Sequence, residues 1–282
     1  MILITGGHGF LGSFLSKSLK KDKYEVLCLG RDKLNVLSKE SVDKVFEEYD
    51  IECVIHTAVR GGRRIRPDSY IDFYENILMF ENLIANRDKF KFMINFGSGA
   101  EFDRSLEIKN ATEEEVLEKT PSDFYGFSKN LIAKRIYGIN DNIVNLRIFN
   151  CFGENELSDR MIKANCIRHL QKQEMVVYTN KMMDFFYIQD LYKVVKYYLS
   201  NFDKGVPIDL NLCYEEKTDL IGITELIITL TGQSNNVKLV DEVNGRSYTG
   251  DPTKLSALNI EMGGIESGIL QVYKFIQSTY RE

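Results

Sequence analysis

Met1-Ile2-Leu3-Ile4-Thr5-Gly6-Gly7-His8-Gly9-Phe10-Leu11-Gly12 opens the chain, and its reading decides the fold. The first five residues form a short apolar run, as a strand buried on both faces of a parallel sheet requires. Glycines then recur at Gly6, Gly9 and Gly12, and behind them Phe10, Leu11, Phe14, Leu15 and Leu19 fall at helical spacing. Strand, glycine turn and helix, in that order, are the context of a dinucleotide fingerprint. Gly6 permits the tight turn, Gly9 lets backbone approach a pyrophosphate, and Gly12 lets the helix pack closely on the sheet. The helix N-terminus then faces the phosphate charge, with Phe10 and Leu11 in its first turn. The competing reading is a glycine-rich turn with no ligand.

Outward from this stretch, strand-like runs recur at 24–29, 53–57, 92–96, 144–149 and 208–212, with helical patterns between them. Val42, Val45, Phe46 and Tyr49 make one helical face; Leu131, Ile132, Ile136 and Tyr137 make another. Strands alternating with helices predict an α/β protein with a doubly wound parallel sheet of the Rossmann kind. The beat fails at 154–176 and from 215 to 282. The expected organisation is therefore a dinucleotide-binding domain of 1–153 plus about 177–214. A small C-terminal substrate-binding lobe would comprise about 154–176 plus 215–282. The amphipathic last helix, with Ile265, Ile269, Val272, Tyr273 and Ile276, is expected to pack on that lobe.

Composition narrows the function. With 44% hydrophobic and 27% charged residues the chain is an ordinary globular one. A net charge of −5 offers no basic field for nucleic acid. No apolar stretch is long enough to span a bilayer. A strand beginning at Met1 leaves no room for a signal peptide, so a cytoplasmic location is expected. The five cysteines contain no Cys-x-x-Cys and read as reduced thiols, mostly in the core. The three histidines are too scattered for a metal site, and His56 reads as structural.

The second strand ends at Gly30-Arg31-Asp32. An acid at a strand end would accept the ribose 2′-hydroxyl of NAD, whereas an arginine would pair with the 2′-phosphate of NADP. Arg31 favours NADP(H); a solvated Arg31 with Asp32 on the ribose would allow NAD(H). Downstream, 92–96 stops at Gly97-Ser98-Gly99, and Tyr125-Gly126-Phe127-Ser128-Lys129 follows. The Ser98 hydroxyl can hydrogen-bond a carbonyl or hydroxyl oxygen, and Tyr125 can give or take a proton. Lys129, one helical turn on, is expected to favour the phenolate and lower Tyr125 from its ordinary value near ~10. A tyrosine and lysine at this spacing are common on helix surfaces; the order of glycines, serine and tyrosine–lysine pair is what points to catalysis.

Together these motifs resemble the extended short-chain dehydrogenase/reductase superfamily, the NAD-dependent epimerase/dehydratase family. The resemblance implies that Tyr125, Lys129 and Ser98 are catalytic, with Lys129 also reaching the nicotinamide ribose. It adds Asn35, Ala58 and Asn76 to the cofactor contacts Gly6, Gly9, Phe10, Leu11, Gly12 and Arg31. Arg147-Ile148-Phe149-Asn150-Cys151-Phe152-Gly153 resembles a family stretch beside the nicotinamide and sugar. Asp184-Phe185-Phe186-Tyr187-Ile188-Gln189-Asp190 resembles another, with Met183 where an arginine is usual. Arg246, before Tyr248, stands where the family often binds a diphosphate. Substrate contacts implied in this way are Ser98, Tyr125, Asn150, Arg160 and Arg246.

The 4,6-dehydratases of the family carry an Asp-Glu pair where this chain has Gly99 and Ala100; Glu101 comes one residue late and should face the other way. The segment from Ala58 to Asn76 resembles GDP-fucose synthase-like reductases. Their epimerising Cys and His correspond to Ala100 and to a position near Arg160. The expected activity is hydride transfer from NADPH to C4 of a nucleotide-linked 4-keto-6-deoxy sugar, in deoxysugar or surface polysaccharide biosynthesis. A nucleotide-sugar 4-epimerase with tightly held NAD and a non-catalytic dinucleotide-binding regulator are the alternatives. The nucleotide-diphosphate sugar is the expected partner, with no metal, and a homodimer is usual in the family.

Overall fold

The computed structural model describes residues 1–62, 66–139 and 142–279. Two compact units divide the chain. The first holds Met1–Ser105, Thr112–Arg147 and Tyr198–Leu210; the second holds Leu106–Ala111, Ile148–Tyr197 and Asn211–Glu282. The second unit takes in 154–176 and 215–279 of the stretches read as a lobe, together with 106–111, 148–153, 177–197 and 211–214 of the expected dinucleotide-binding domain. Residues 280–282 of that expected lobe lie outside the described residues.

The expected sheet belongs to the first unit except at Ile148, Asn211 and Leu212, the last residues of two of its strands. Six strands lie in the order Asp209–Leu212, Ile143–Ile148, Phe92–Ser98, Cys53–His56, Ile2–Thr5, Val26–Cys28. The sheet is parallel, with Ile2 opposite both Val26 and Cys53, and Cys53 opposite Phe92. The order runs outward on both sides of the first strand, the doubly wound pattern. Ile2–Thr5, Cys53–His56 and Phe92–Ser98 are buried throughout, which is why their sequences read as apolar runs. Leu3, Val54 and Met93 of these strands share a core with Val42, Phe46, Leu83, Ile132 and Ile136 of the flanking helices. Helix starts follow local capping chemistry. Ser38 accepts from the Ser41 amide, and Ser69 with Asp72 forms a capping box on Tyr70–Ile84.

The second unit pairs short strands that are distant in sequence. Ile108–Ala111 lies parallel to Tyr248–Gly250, Met175–Thr179 to Val237–Asp241, and Cys151–Phe152 to Phe186–Tyr187. Helix Gly264–Thr279 packs on Met161–Leu170 and Leu220–Thr231 through Ile269, Val272, Tyr273 and Ile276. His169 sits among them, bonded to the Tyr273 hydroxyl at 3.1 Å and the Gln233 carbonyl at 3.0 Å. Among the described residues no helix is long and apolar enough to cross a membrane.

Candidate active site

The glycine turn has the shape of a phosphate cradle. Gly6 lies at φ +67°, and a Cβ there would stand 2.6 Å from the Ala58 nitrogen. The Gly9 amide donates to the Gly6 carbonyl at 2.9 Å, and Gly9 caps helix Phe10–Lys21. A Cβ at Gly12 would meet the Gly6 carbonyl and stand 2.7 Å from Thr57 Oγ1. The first helix amides, Phe10 and Leu11 among them, have no acceptor within the helix. Crowded glycine backbone and open amides fit a pyrophosphate. The turn is braced from below. Thr5 Oγ1 bonds His56 Nδ1 at 2.7 Å, and Thr57 Oγ1 donates to the Thr5 carbonyl at 2.6 Å. Burial, with the Lys129 charge second, pushes His56 down to about 3, so it is neutral and structural.

At the end of Val26–Cys28 the amides of Lys33 and Leu34 donate to the Gly30 carbonyl, at 3.0 and 2.9 Å. That turn folds Asp32 back, and its Oδ1 lies 2.5 Å from where a Gly30 Cβ would stand. Arg31 and Asp32 are both exposed there, so each can meet a ribose or its phosphate. Asn35 spends its Oδ1 on the Leu37 amide at 3.3 Å. Asn76 is buried, and its carboxamide bonds the Arg60 amide, the Arg60 carbonyl and Ser128 Oγ. It ties the loop after Cys53–His56 to the helix that carries Tyr125.

Ser98, Tyr125 and Lys129 come together in the first unit. Phe92–Ser98 runs into a 3-10 turn, Gly99–Phe102, whose capping box is made by Ser98 and Glu101. Ser98 Oγ accepts from the Ala100 amide at 3.2 Å, while the Ser98 amide donates to Glu101 Oε1 at 2.7 Å. Tyr125 opens helix Phe124–Ile139, where Asp123 Oδ1 accepts from the Gly126 amide at 2.8 Å. Lys129 Nζ, buried, donates to the Phe96 carbonyl at 2.8 Å. Asn130 donates to the Glu101 carbonyl at 2.9 Å. Helix and strand end are therefore locked together around the Tyr125 phenol.

The electrostatics differ from the expectation for Tyr125. Its pKa is raised, burial being the largest cause, although the residue as a whole keeps some exposure. The Ser98 hydroxyl and then Arg104 oppose the rise. The Arg104 guanidinium lies 5.5 Å from the centre of the Tyr125 ring. Lys129 is not among the larger influences on Tyr125: its ammonium places one N–H on the Phe96 carbonyl, and desolvation brings its own pKa down to about 8. Arg104 also pairs with Asp123 at 2.6 Å and Asp68 at 3.6 Å. Asp68 Oδ1 accepts from the Gly62 amide at 2.7 Å. Gly62 lies at φ +70°, and a Cβ there would stand 2.9 Å from Tyr125 Cε2 and Cζ. Gly62, Asp68 and Arg104 were not predicted from sequence; the one available signal was the Gly61-Gly62 pair, whose positive φ puts backbone against the ring.

Arg147, the first residue of the family-like stretch 147–153, faces the interior. It is fully buried, donating to Glu101 and Asp209 at 2.6 Å each. Burial disfavours its charge, but the two carboxylates outweigh that and raise its pKa. Glu101 spends both oxygens on Ser98, Arg147 and Asn145, which leaves it no part in removing water from a substrate.

The remaining candidates lie in the second unit. Asn150 Nδ2 donates to the Asp184 carbonyl at 2.8 Å. Arg160 pairs with Glu156 at 3.2 Å, and Arg246 is exposed just before Tyr248–Gly250. Burial pushes Glu156 up to about 7, against the pull of Arg160. That carboxyl was not foreseen, although its spacing four residues before Arg160 marks an ion pair.

Comparison with known proteins follows this geometry. A model of the NAD dependent epimerase/dehydratase family matches residues 2–213. The chain is 28% identical over 226 residues to a protein of Methanocaldococcus jannaschii whose name assigns it, provisionally, as a UDP-glucose 4-epimerase. That match spans 68% of this chain and 71% of the other. A GDP-D-glycero-L-gluco-heptose synthase from Campylobacter jejuni, solved in the presence of NADPH, superposes with a TM-score of 0.82. It is 20% identical, with 98% of this chain and 97% of that chain covered. A GDP-mannoheptose C4 reductase from the same organism, solved with NADP, gives 0.81 at 22% identity, with 98% of each chain covered.

Proposed function

The chain belongs to the NAD dependent epimerase/dehydratase family, and from that premise we propose that it is an NADPH-dependent reductase of a nucleotide-linked 4-keto-6-deoxy sugar. The observation that carries the reading is the Ser98–Tyr125–Lys129 set, without acid/base side chains at the positions where the family's 4,6-dehydratases and 3,5-epimerases carry them. Ala100 stands where the GDP-fucose synthase-like 3,5-epimerases would hold a Cys, Arg160 lies near their expected His, and Glu101 is spent on a buried ion pair. Neither Ala nor a charged Arg readily takes a proton from carbon. The family's reductase chemistry needs no such base.

The glycine cradle would hold the pyrophosphate, and Arg31 the 2′-phosphate. The bound nicotinamide supplies a hydride. Ser98 donates to the C4 oxygen and polarises the carbonyl. Tyr125, kept protonated by burial, delivers the proton as negative charge grows on that oxygen. Lys129, cationic below about pH 8, contributes positive charge beneath the strand end. Asn150, Arg160 and Arg246 are proposed sugar and diphosphate contacts. The reading extends to a cytoplasmic homodimer built on Tyr70–Ile84 and Phe124–Ile139, supported by the exposed Tyr70, Ile71, Tyr74 and Phe124.

The test follows NADPH absorbance with a panel of nucleotide-linked 4-keto-6-deoxy sugars, beside Tyr125→Phe. Turnover that the substitution abolishes supports the reductase. The likeness to the Methanocaldococcus protein favours a second reading, 4-epimerisation with retained NAD⁺. No NADPH consumption, with NAD⁺ carried through purification, would replace the first reading by the second.

A further inference from the structure

Beneath Ser98 lies a buried ionic cluster that a simple turn does not need. Glu101, Arg147 and Asp209 are all shut off from solvent, and Asn145 bridges the two carboxylates at 3.4 and 3.1 Å. Gly97 makes room for it: a Cβ there would stand 2.5 Å from Glu101 Oε1 and 2.6 Å from the Asn145 amide. A capping glutamate works as well on the surface, and burying one gains little stability because desolvation offsets the attraction. The burial therefore points to a requirement for fixed geometry.

We propose that Glu101, anchored on Arg147 and Asp209, is a positioning residue that sets the direction of the Ser98 hydroxyl. A serine hydroxyl has one proton and two acceptor sites. Glu101 holds the Ser98 amide, and the turn so formed aims the Ala100 amide at Ser98 Oγ. With that acceptor site filled by a donor, the hydroxyl proton is turned toward Tyr125, whose burial-driven rise in pKa Ser98 opposes, and it passes to the C4 oxygen once a substrate lies between the two. The Glu101 carboxylate itself, Arg104 and Asp68 also act on Tyr125, its own helix adds Lys129, Asp123 precedes that helix, and His56 stands within electrostatic reach of Lys129; Glu101→Asp keeps the first of these charges, so that its direction and not its loss is read. This inference rests on the reading of Ser98, Tyr125 and Lys129 as the reacting set.

The test keeps those charges in place. Glu101→Asp retains the carboxylate but is too short to span Ser98 and Arg147 together; Asp209→Asn loosens Arg147 from the far side. Each is made in the full chain, with and without Tyr125→Phe. The difference in tyrosinate absorbance between the two members of a pair reports Tyr125 alone and needs no substrate. Fluorescence titration with NADPH checks that each variant folds. The expected result is NADPH affinity within roughly threefold of wild type, an upward shift of the Tyr125 titration, and kcat with a GDP-linked 4-keto-6-deoxyhexose lower by about tenfold in Glu101→Asp. Should Glu101→Asp lose NADPH binding, Asp209→Asn is read instead, with a shift of the same sign. A variant that binds NADPH and leaves the Tyr125 titration unchanged overturns the proposal. Undiminished turnover in Tyr125→Phe alone would instead overturn the catalytic reading beneath it.

Discussion

Replacing Gly62 with alanine separates the placement of Tyr125 from the stability of its loop. The new Cβ would stand 2.9 Å from Tyr125 Cε2 and Cζ, where ordinary contact begins at 3.4 Å. The ring or the loop must therefore yield about 0.5 Å, the difference between those two distances. At φ +70° an alanine also costs roughly 1–2 kcal/mol of backbone strain. A misplacement of 1 Å can cost about 10²-fold in rate, so half that distance predicts a fall in kcat of about tenfold. Gly61→Ala is the control. Its φ is similar, +77°, but its Cβ would meet Asp68 Oδ1 at 2.7 Å and not the tyrosine. Both variants should lose comparable stability in urea titrations, and only Gly62→Ala should lose most of its kcat with NADPH affinity nearly intact. Equal kcat losses in the two would show that the loop, not the phenol, carries the effect, and the reasoning from ring contact would fail.

Other consequences are open to measurement. Arg31→Ala should weaken NADPH about tenfold in fluorescence titrations and leave NADH unchanged, since a charge-assisted bond to phosphate is lost; equal effects on both cofactors would remove Arg31 from the 2′ position. His56 sits near 3 when folded and near its ordinary 6.5 when unfolded. Below pH 6.5 the unfolded chain thus holds a proton that the folded one does not. This group makes stability fall by up to about 1.4 kcal/mol for each unit of acidification. His56→Gln should flatten that acid slope, and an unchanged slope would contradict it. Asp190 accepts from the Gly263 and Gly264 amides and from the Tyr214 hydroxyl, at 2.8, 2.9 and 2.6 Å. Asp190→Asn should cost about 2–4 kcal/mol in the second unit, read from denaturant midpoints, with the Tyr125 titration unmoved.

What the sequence alone determined is local. An apolar run that must be buried on both faces, glycines where backbone meets backbone, and helical periodicity after them follow from steric and hydrophobic rules acting within a dozen residues. They were enough to place Gly6, Gly9 and Gly12, to order Ser98, Tyr125 and Lys129, and to identify the parallel sheet. The tertiary structure decided what depends on residues far apart in the chain. Arg147 opens a family-like stretch, and it turns inward because Glu101 and Asp209, 46 and 62 residues away, supply the charge that makes its burial tolerable. Tyr125 sits a helical turn from a cation, yet its environment is set by burial and by Ser98 and Arg104 on other segments. Ile108–Ala111 finds its partner in Tyr248–Gly250, a pairing with no turn signal to announce it. Desolvation and the partners of buried charges are properties of the packed molecule, and no window of sequence contains them.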